Sequence, residues 1–323
     1  MQCVTMGPLN TVSRLTLGGG GLGGLWGDTS GGEAVATVLA AVEAGINLID
    51  TAPMYLNCEQ VIREAFAGAP PAGVRITTKC QLGGPPAKEA AARLEASLDA
   101  SLGAMGLKHV DVFFLHSNIR PDDYVYARHD ANKDRFSTPW RTYVQEVAPA
   151  MERLKASGRI GAWGITGVGV PTAIREAISH DSPPDIVQAV ANLLDSAGGM
   201  RNFAEPAVPR EIIAAAKARG LGVMGIRAVQ AGALTQALDR DIKGSHPEAQ
   251  DYGRAAPFRR LCTELGADPA SIAHRYTLAM DGVDTVVLGV KNRAELAQCL
   301  EAEAEGPLPN ELVARVDALG LRD

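Results

Sequence analysis

Short apolar runs alternate with stretches of helical periodicity along most of this chain. Eight runs read as strands: 14–17, 46–50, 74–79, 110–116, 160–166, 186–190, 222–227 and 285–288. Their apolar residues are consecutive rather than alternating, the pattern of strands covered on both faces. The segments 33–43, 88–102 and 211–219 are Ala-rich with apolar positions at helical spacing, and Gly45 and Gly220 fall where a helix would end. Parallel strands need crossover connections, and helices supply them. The pattern predicts an α/β architecture, and eight strand–helix units in one chain predict a closed (β/α)8 TIM barrel, a single domain over residues 1–323. A barrel of this kind carries its chemistry at the carboxyl ends of the strands.

Three successive strands end in polar residues: Asp50, Lys79 and His116. Each has an ordinary reading. Asp50 could cap the next helix, Lys79 could be a solvated strand end, and His116 could be a hydrogen-bonded rim residue. Together they suggest more, because neighbouring strands lie about 5 Å apart and a carboxylate ending an apolar strand needs a partner. Asp50 and Lys79 can form that ion pair, with His116 beside them. Tyr55, in the loop after Asp50, can fold back over the same mouth. A phenol titrates near pH 10 unperturbed, an adjacent ammonium stabilises the phenolate, and a carboxylate behind the lysine keeps it charged. The expectation is therefore that Lys79 lowers the Tyr55 pKa. The set Asp50, Tyr55, Lys79 and His116 is machinery for protonating a carbonyl oxygen while a hydride attacks its carbon.

Composition narrows the class. Apolar residues make up 46% and charged residues 21% of 323, with a net charge of -6, which suits a globular protein with a sizeable core and gives no basic surface for nucleic acid. No apolar run spans a bilayer and no leader-like start is visible, so no membrane partner is expected. Five cysteines without CxxC or Cys/His metal spacing predict a reducing cytoplasm and no metal. Cys58 and Cys80 lie beside Tyr55 and Lys79 and read either as packing residues or as sites of oxidative inhibition.

No side chain donates hydride, so reduction requires a nicotinamide cofactor. Gly19, Gly21 and Gly24 satisfy GxGxxG, but that fingerprint must open a helix directly, and eight residues, 25–32, intervene before helical periodicity begins. The segment 286–300 offers a strand, a turn at Gly289 and a helix starting near Asn292 or Arg293, with Lys291 and Arg293 beside it. It reads either as a phosphate site or as an exposed basic helix start.

At this point the residues resemble those of the aldo-keto reductases over nearly the whole chain. LIDTAPMYLNCE is similar to that family's Asp-Thr-Ala…Tyr-Gly-x-Ser-Glu segment, ITTK to its lysine-bearing strand, and VDVFFLH to its histidine-bearing strand. The later segments GITGVG, DIVQAVANLLD, AGALT and LGVKNRAELAQCL fall in order. The resemblance implies reversible NAD(P)H-dependent reduction of aldehydes or ketones, or the reverse on an alcohol or sugar. Tyr55 would be the acid, Lys79 and Asp50 its activators, and His116 the substrate orienter. It also implies a cofactor lying along Gly19, with Thr166 and Gln188 at the nicotinamide amide, the turn at Ile226 and Arg227 at the pyrophosphate, and Gly289, Val290, Lys291, Arg293, Glu295 and Gln298 around the adenosine.

The chain departs from the family pattern in several places. Leu56 stands for a glycine, Cys58 for a serine, Gly167 for an asparagine, Ile226 for an aromatic residue and Arg227 for a serine. NADPH is the expected cofactor, favoured by Lys291 and Arg293; NAD is the alternative, since Glu295 would repel a 2′-phosphate. The expected partner is a small carbonyl or alcohol compound. Trp26, Tyr124 and Trp140 are its expected pocket, the last two on the long segment 117–140. That segment reads either as an aromatic wall for a sugar-like or aromatic carbonyl compound or as a mobile lid. The competing functional reading is a nucleotide-binding, redox-sensing accessory subunit with little turnover.

Overall fold

A computed structural model describes residues 1–322 of the chain. An antiparallel hairpin of β1 (Cys3–Thr5) and β2 (Thr11–Ser13) precedes the barrel. The barrel strands are β3 (Leu15–Gly18), β4 (Leu48–Asp50), β5 (Arg75–Cys80), β6 (Val110–Leu115), β9 (Ile160–Thr166), β10 (Ile186–Val190), β11 (Gly222–Ile226) and β12 (Thr285–Leu288). They pair in that order, all parallel, and β12 closes onto β3. A small parallel pair, β7 (Asn118–Arg120) with β8 (Ser137–Pro139), stands outside the barrel.

The helices lie between strands. They are α1 (Gly19–Leu22), α2 (Gly31–Glu43), α3 (Cys58–Phe66), α4 (Ala87–Met105), α5 (Trp140–Thr142), α6 (Ala148–Ala156), α7 (Pro171–Ser179), α8 (Pro209–Ala218), α9 (Pro247–Arg254), α10 (Ala256–Leu265), α11 (Pro269–Ala279), α12 (Arg293–Ala304) and α13 (Asn310–Asp317). Local chemistry sets their ends. Ser30, Asp268 and Asn292 accept first-turn N–H groups of α2, α11 and α12, and α4 stops where Gly106 turns left-handed at φ 72°.

The main core fills the layer between strands and helices, where both Leu17 and Trp163 are fully buried. A second cluster fills the barrel itself. Met6, Leu9 and Val12 from the hairpin close its amino end and pack on Leu48, Val112, Phe114, Ile186 and Met224. Phe114 needs Gly164 beside it, since a Cβ there would overlap the ring. With the amino end plugged, the ends of β4, β5 and β6 that carry Asp50, Lys79 and His116 lie at the opposite, carboxyl end.

The eight predicted strands are the eight barrel strands, with ends shifted by two residues at most. The segment 117–140 differs from expectation. It is not a bare loop, because it contains β7, a 3-10 turn at Asp130–Arg135, and β8. Buried Arg120 ties it together, through Nε to Ser137 Oγ at 3.0 Å and Nη2 to Asp134 Oδ1 at 2.9 Å.

Candidate active site

Strand pairing brings the three polar ends together. Asp50 pairs in register with Thr77, and Lys79, two residues on, shares the inward face of Thr77 because side chains alternate along a strand. The Lys79 side chain is fully buried, so it is no solvated strand end. Its Nζ donates to Asp50 Oδ2 and to the Thr51 carbonyl oxygen, each at 2.7 Å. Asp50 Oδ1 accepts from Thr77 Oγ1 and from Gln188 Nε2, also at 2.7 Å each. Three donors thus hold one buried carboxylate, and the residue at the N-cap position of α3 is Asn57, not Asp50.

Tyr55 lies over this cluster. Lys79 Nζ is 4.7 Å from the centre of its ring, and the His116 imidazole meets the ring edge-on at 5.8 Å between centroids. The glycine run explains how Tyr55 gets there. A Cβ on Gly23 would overlap the Tyr55 carbonyl oxygen, and one on Gly21 the Val290 carbonyl oxygen, so the glycines let the loop after β3 pass tightly beneath. Gly19 is turned inward in the one-turn α1, against Cys58 Sγ.

Electrostatics correct one expectation. Burial pushes the Tyr55 phenol above its ordinary value, and Lys79 opposes this without reversing it. The Lys79 contribution has the expected sign, but burial, which charge counting leaves out, outweighs it. Lys79 itself is raised: burial works against its ammonium, but Asp50 and then Tyr55 outweigh it. Burial, with the Lys79 charge, drives His116 down to about 3, so its imidazole is neutral. Its Nδ1 is buried with no partner among the described residues. A lone pair there is cheaper than an N–H, which leaves the proton on Nε2.

Further along the mouth, Thr166 is 3% exposed and its Oγ1 is a second buried atom without a partner among the described residues. Beside it Val168, Val190 and Ala197 form an apolar cluster on which Met200 and Ile226 pack. A hydroxyl with no internal partner next to an apolar shelf fits a flat ring carrying an amide. Gln188 sits one strand over, its amide nitrogen on Asp50. Arg227, in a left-handed conformation at φ 64°, is braced by Gln230 Oε1 at 2.8 Å and by Glu248 Oε1 at 2.7 Å.

At the other end, Asn292 caps α12, and Gly289 and Gln298 are exposed while Val290 is buried. Lys291 and Arg293, expected to be available for phosphate, are both ion-paired: Lys291 with Asp239 and Glu295, Arg293 with Glu33.

The three aromatic residues expected to line one pocket are dispersed. Trp140 stacks on Tyr143 at 5.5 Å and meets His180 edge-on, in the helical layer. Tyr124 donates to Glu205 and packs on Tyr126, whereas Trp26 lies against Gly20 and beneath Arg240. The rim near Tyr55 is formed by exposed Met54 and Leu56, the latter at φ 53°. Sequence reasoning missed Thr77 and Thr51 as supports of the ion pair. The alternation in ITTK, which puts Thr77 on the face of Lys79, was the available signal.

Cys58 and Cys80 are buried and their thiols are pushed up, chiefly by burial, so neither presents a reactive thiolate. Among the described residues no cluster of His, Cys, Asp or Glu could hold a metal ion, and no helix is long and apolar enough to cross a membrane.

Comparison with known proteins places this geometry. The family model described as "Aldo/keto reductase family" matches residues 14–320. The chain is 25% identical to L-galactose dehydrogenase of Arabidopsis thaliana over 298 residues, covering 91% of this chain and 85% of that protein. It is 29% identical to the NADH-specific methylglyoxal reductase of Escherichia coli (strain K12) over 250 residues, covering 72% and 68%. Among solved structures, a holo-form aldo-keto reductase from Bacillus halodurans has the same fold, with a TM-score of 0.71, 20% identity, and coverage of 99% and 96%.

Proposed function

The chain belongs to the aldo/keto reductase family, and on that premise we propose that it reduces an aldehyde or ketone to the alcohol, or runs the same step backwards on an alcohol or sugar, with Tyr55 as the proton donor and acceptor. The observation that carries this is the fully buried Lys79 ammonium, held by Asp50 and lying 4.7 Å from the Tyr55 ring.

When bound, a nicotinamide dinucleotide would supply or accept the hydride. Every other part belongs to the chain. Tyr55, protonated at rest because burial raises its pKa, hands its proton to the carbonyl oxygen as negative charge develops there. Lys79 stabilises the resulting phenolate, a benefit realised only as the proton leaves. Asp50 keeps Lys79 charged in a site that burial would otherwise turn against it. Neutral His116 offers its Nε2 proton to the same oxygen and so fixes the carbonyl's orientation. Thr166 Oγ1 and the free face of Gln188 suit the carboxamide of the nicotinamide, Arg227 and the turn after Ile226 suit the pyrophosphate, and residues 289–298 suit the adenosine.

Two relatives support work on small oxygenated carbon compounds: one is named for dehydrogenating L-galactose, the other for reducing methylglyoxal. The exposed Met54 and Leu56 at the rim favour a substrate with an apolar part next to its carbonyl. All five cysteines are free, which supports a reducing cytoplasm as its location.

The test is a panel of aldehydes, ketones, alcohols and sugars, each with NADH, NADPH or the oxidised dinucleotide, read by the absorbance of the reduced form. Turnover in either direction supports the proposal. Tight dinucleotide binding with no turnover across the panel would favour the redox-sensing accessory subunit.

A further inference from the structure

We infer that Glu33, Asp239 and Glu295 make the adenosine end of the site select NADH over NADPH. The inference rests on the dinucleotide-dependent function proposed above and reverses the preference expected from the sequence.

A 2′-phosphate is a dianion, and a site that accepts it must offer free cations or free N–H groups. The start of α12 offers no unpaired cation. Lys291 Nζ is paired with Asp239 and lies 3.3 Å from Glu295 Oε1. Arg293 donates through Nε and Nη2 to the two oxygens of Glu33, at 3.1 and 2.9 Å. Arg240 is 3.4 Å from Asp239 and lies over the Trp26 ring. Lys291, Arg293 and Arg240 therefore face three carboxylates, and no net positive charge is left.

The backbone is occupied as well. Lys291 N–H donates to Glu295 Oε2 at 2.8 Å, Arg293 N–H to Glu33 Oε1 at 2.9 Å, and Glu295 N–H to Asn292 Oδ1 at 2.9 Å. Three of the backbone donors at this helix start are therefore already used. An incoming phosphate would have to displace a carboxylate from each cation and then remain beside it, and like charges placed together oppose binding. A 2′-hydroxyl has the opposite need. It donates a hydrogen bond, and a carboxylate at this end of the site accepts it.

The three carboxylates come from α2, the segment before α9, and the first turn of α12, so the arrangement exists only in the fold. Hydrogen bonds from Arg293 hold Glu33 down at about 2, and although burial works against the Lys291 ammonium, Asp239 and Glu295 raise it.

The experiment measures NADH and NADPH dissociation constants, by calorimetry or quenching of intrinsic fluorescence, for the full chain and for Glu33→Gln, Glu295→Gln and Glu295→Gln combined with Asp239→Asn. The wild-type chain is expected to bind NADH about tenfold or more tightly than NADPH, and the variants to narrow that ratio about tenfold by gaining NADPH affinity. NADPH binding equal to or tighter than NADH in the wild type overturns the inference. So does an unchanged ratio in variants whose circular dichroism matches the parent. Binding of neither dinucleotide is a different failure, which removes the oxidoreductase function and this selectivity with it.

Discussion

Gln188 Nε2 donates to Asp50 Oδ1 at 2.7 Å, joining β10 to β4 across the mouth of the barrel. The bond gives Gln188 a place in the proton-transfer apparatus as well as at the dinucleotide, because it helps fix the carboxylate that holds Lys79. Gln188→Leu should lower stability by about 1–3 kcal/mol, as expected when a buried hydrogen bond to a charged group is lost, measured by urea unfolding. Turnover should fall roughly ten- to hundredfold through misplacement of the pair. Weaker dinucleotide binding with unchanged turnover at saturation would confine Gln188 to the cofactor.

Thr166 makes the opposite case. Its Oγ1 has no partner among the described residues, so Thr166→Val, nearly the same shape, removes an unsatisfied buried atom rather than a bond. Stability should be unchanged or rise by about 1 kcal/mol. Dinucleotide affinity should fall about three- to tenfold, the worth of one hydrogen bond. A clear loss of thermal stability would mean that Thr166 Oγ1 is satisfied within the protein.

Leu56 follows Tyr55 at φ 53° and is 63% exposed, so its backbone is strained and packing of the side chain offsets little of that cost. A left-handed non-glycine residue costs roughly 1–2 kcal/mol, part of which glycine returns through its freer unfolded chain. Leu56→Gly should therefore stabilise the fold by up to about 1 kcal/mol, while raising KM for carbonyl compounds with an apolar substituent more than for small polar ones. Equal KM changes across both classes would remove Leu56 from substrate selection.

His116 yields a pH prediction. Its folded pKa, about 3, lies below the ordinary 6.5. Between those values the unfolded chain binds a proton that the folded chain does not, so its contribution to stability is lost as pH falls through that window. His116→Asn should flatten the fall in melting temperature on acidification from about pH 6.5 toward 3. It should also leave no histidine inflection in the wild-type rate profile to explain, since the imidazole is neutral throughout the working range. An inflection near 6.5 that disappears in His116→Asn would show that the imidazole does titrate there.

The barrel was legible because its strands are apolar on both faces and punctuated by helices: 160–166, 186–190 and 285–288 match their strands end to end. The Asp50–Lys79 pair was legible for a related reason, since adjacent parallel strands bring successive strand ends together. The β1–β2 hairpin was not legible, because its two three-residue strands are too short to show a period. The pairing of Lys291 with Asp239, of Arg293 with Glu33, and of Gln188 with Asp50 joins residues far apart in sequence, and spacing carries no signal of it. Trp140 was misplaced because an aromatic residue on a long connection can face the mouth or the helical layer, and only packing on Tyr143 decides. The Tyr55 pKa was misjudged because the neighbouring ammonium can be read from the sequence while the depth of burial cannot.

The central claim is that the Tyr55 hydroxyl moves the proton. The measurement is single-turnover oxidation of the reduced dinucleotide by a reactive aromatic aldehyde in the wild-type chain and in Tyr55→Phe, alongside the dissociation constant of that dinucleotide for each. Phenylalanine keeps the ring and loses only the hydroxyl. The dissociation constants should agree within about twofold, because a hydroxyl used only in the transition state adds nothing to ground-state binding. The rate should fall about 10²- to 10⁴-fold, the usual worth of a positioned general acid. A Tyr55→Phe chain that turns over at close to the wild-type rate would contradict the account.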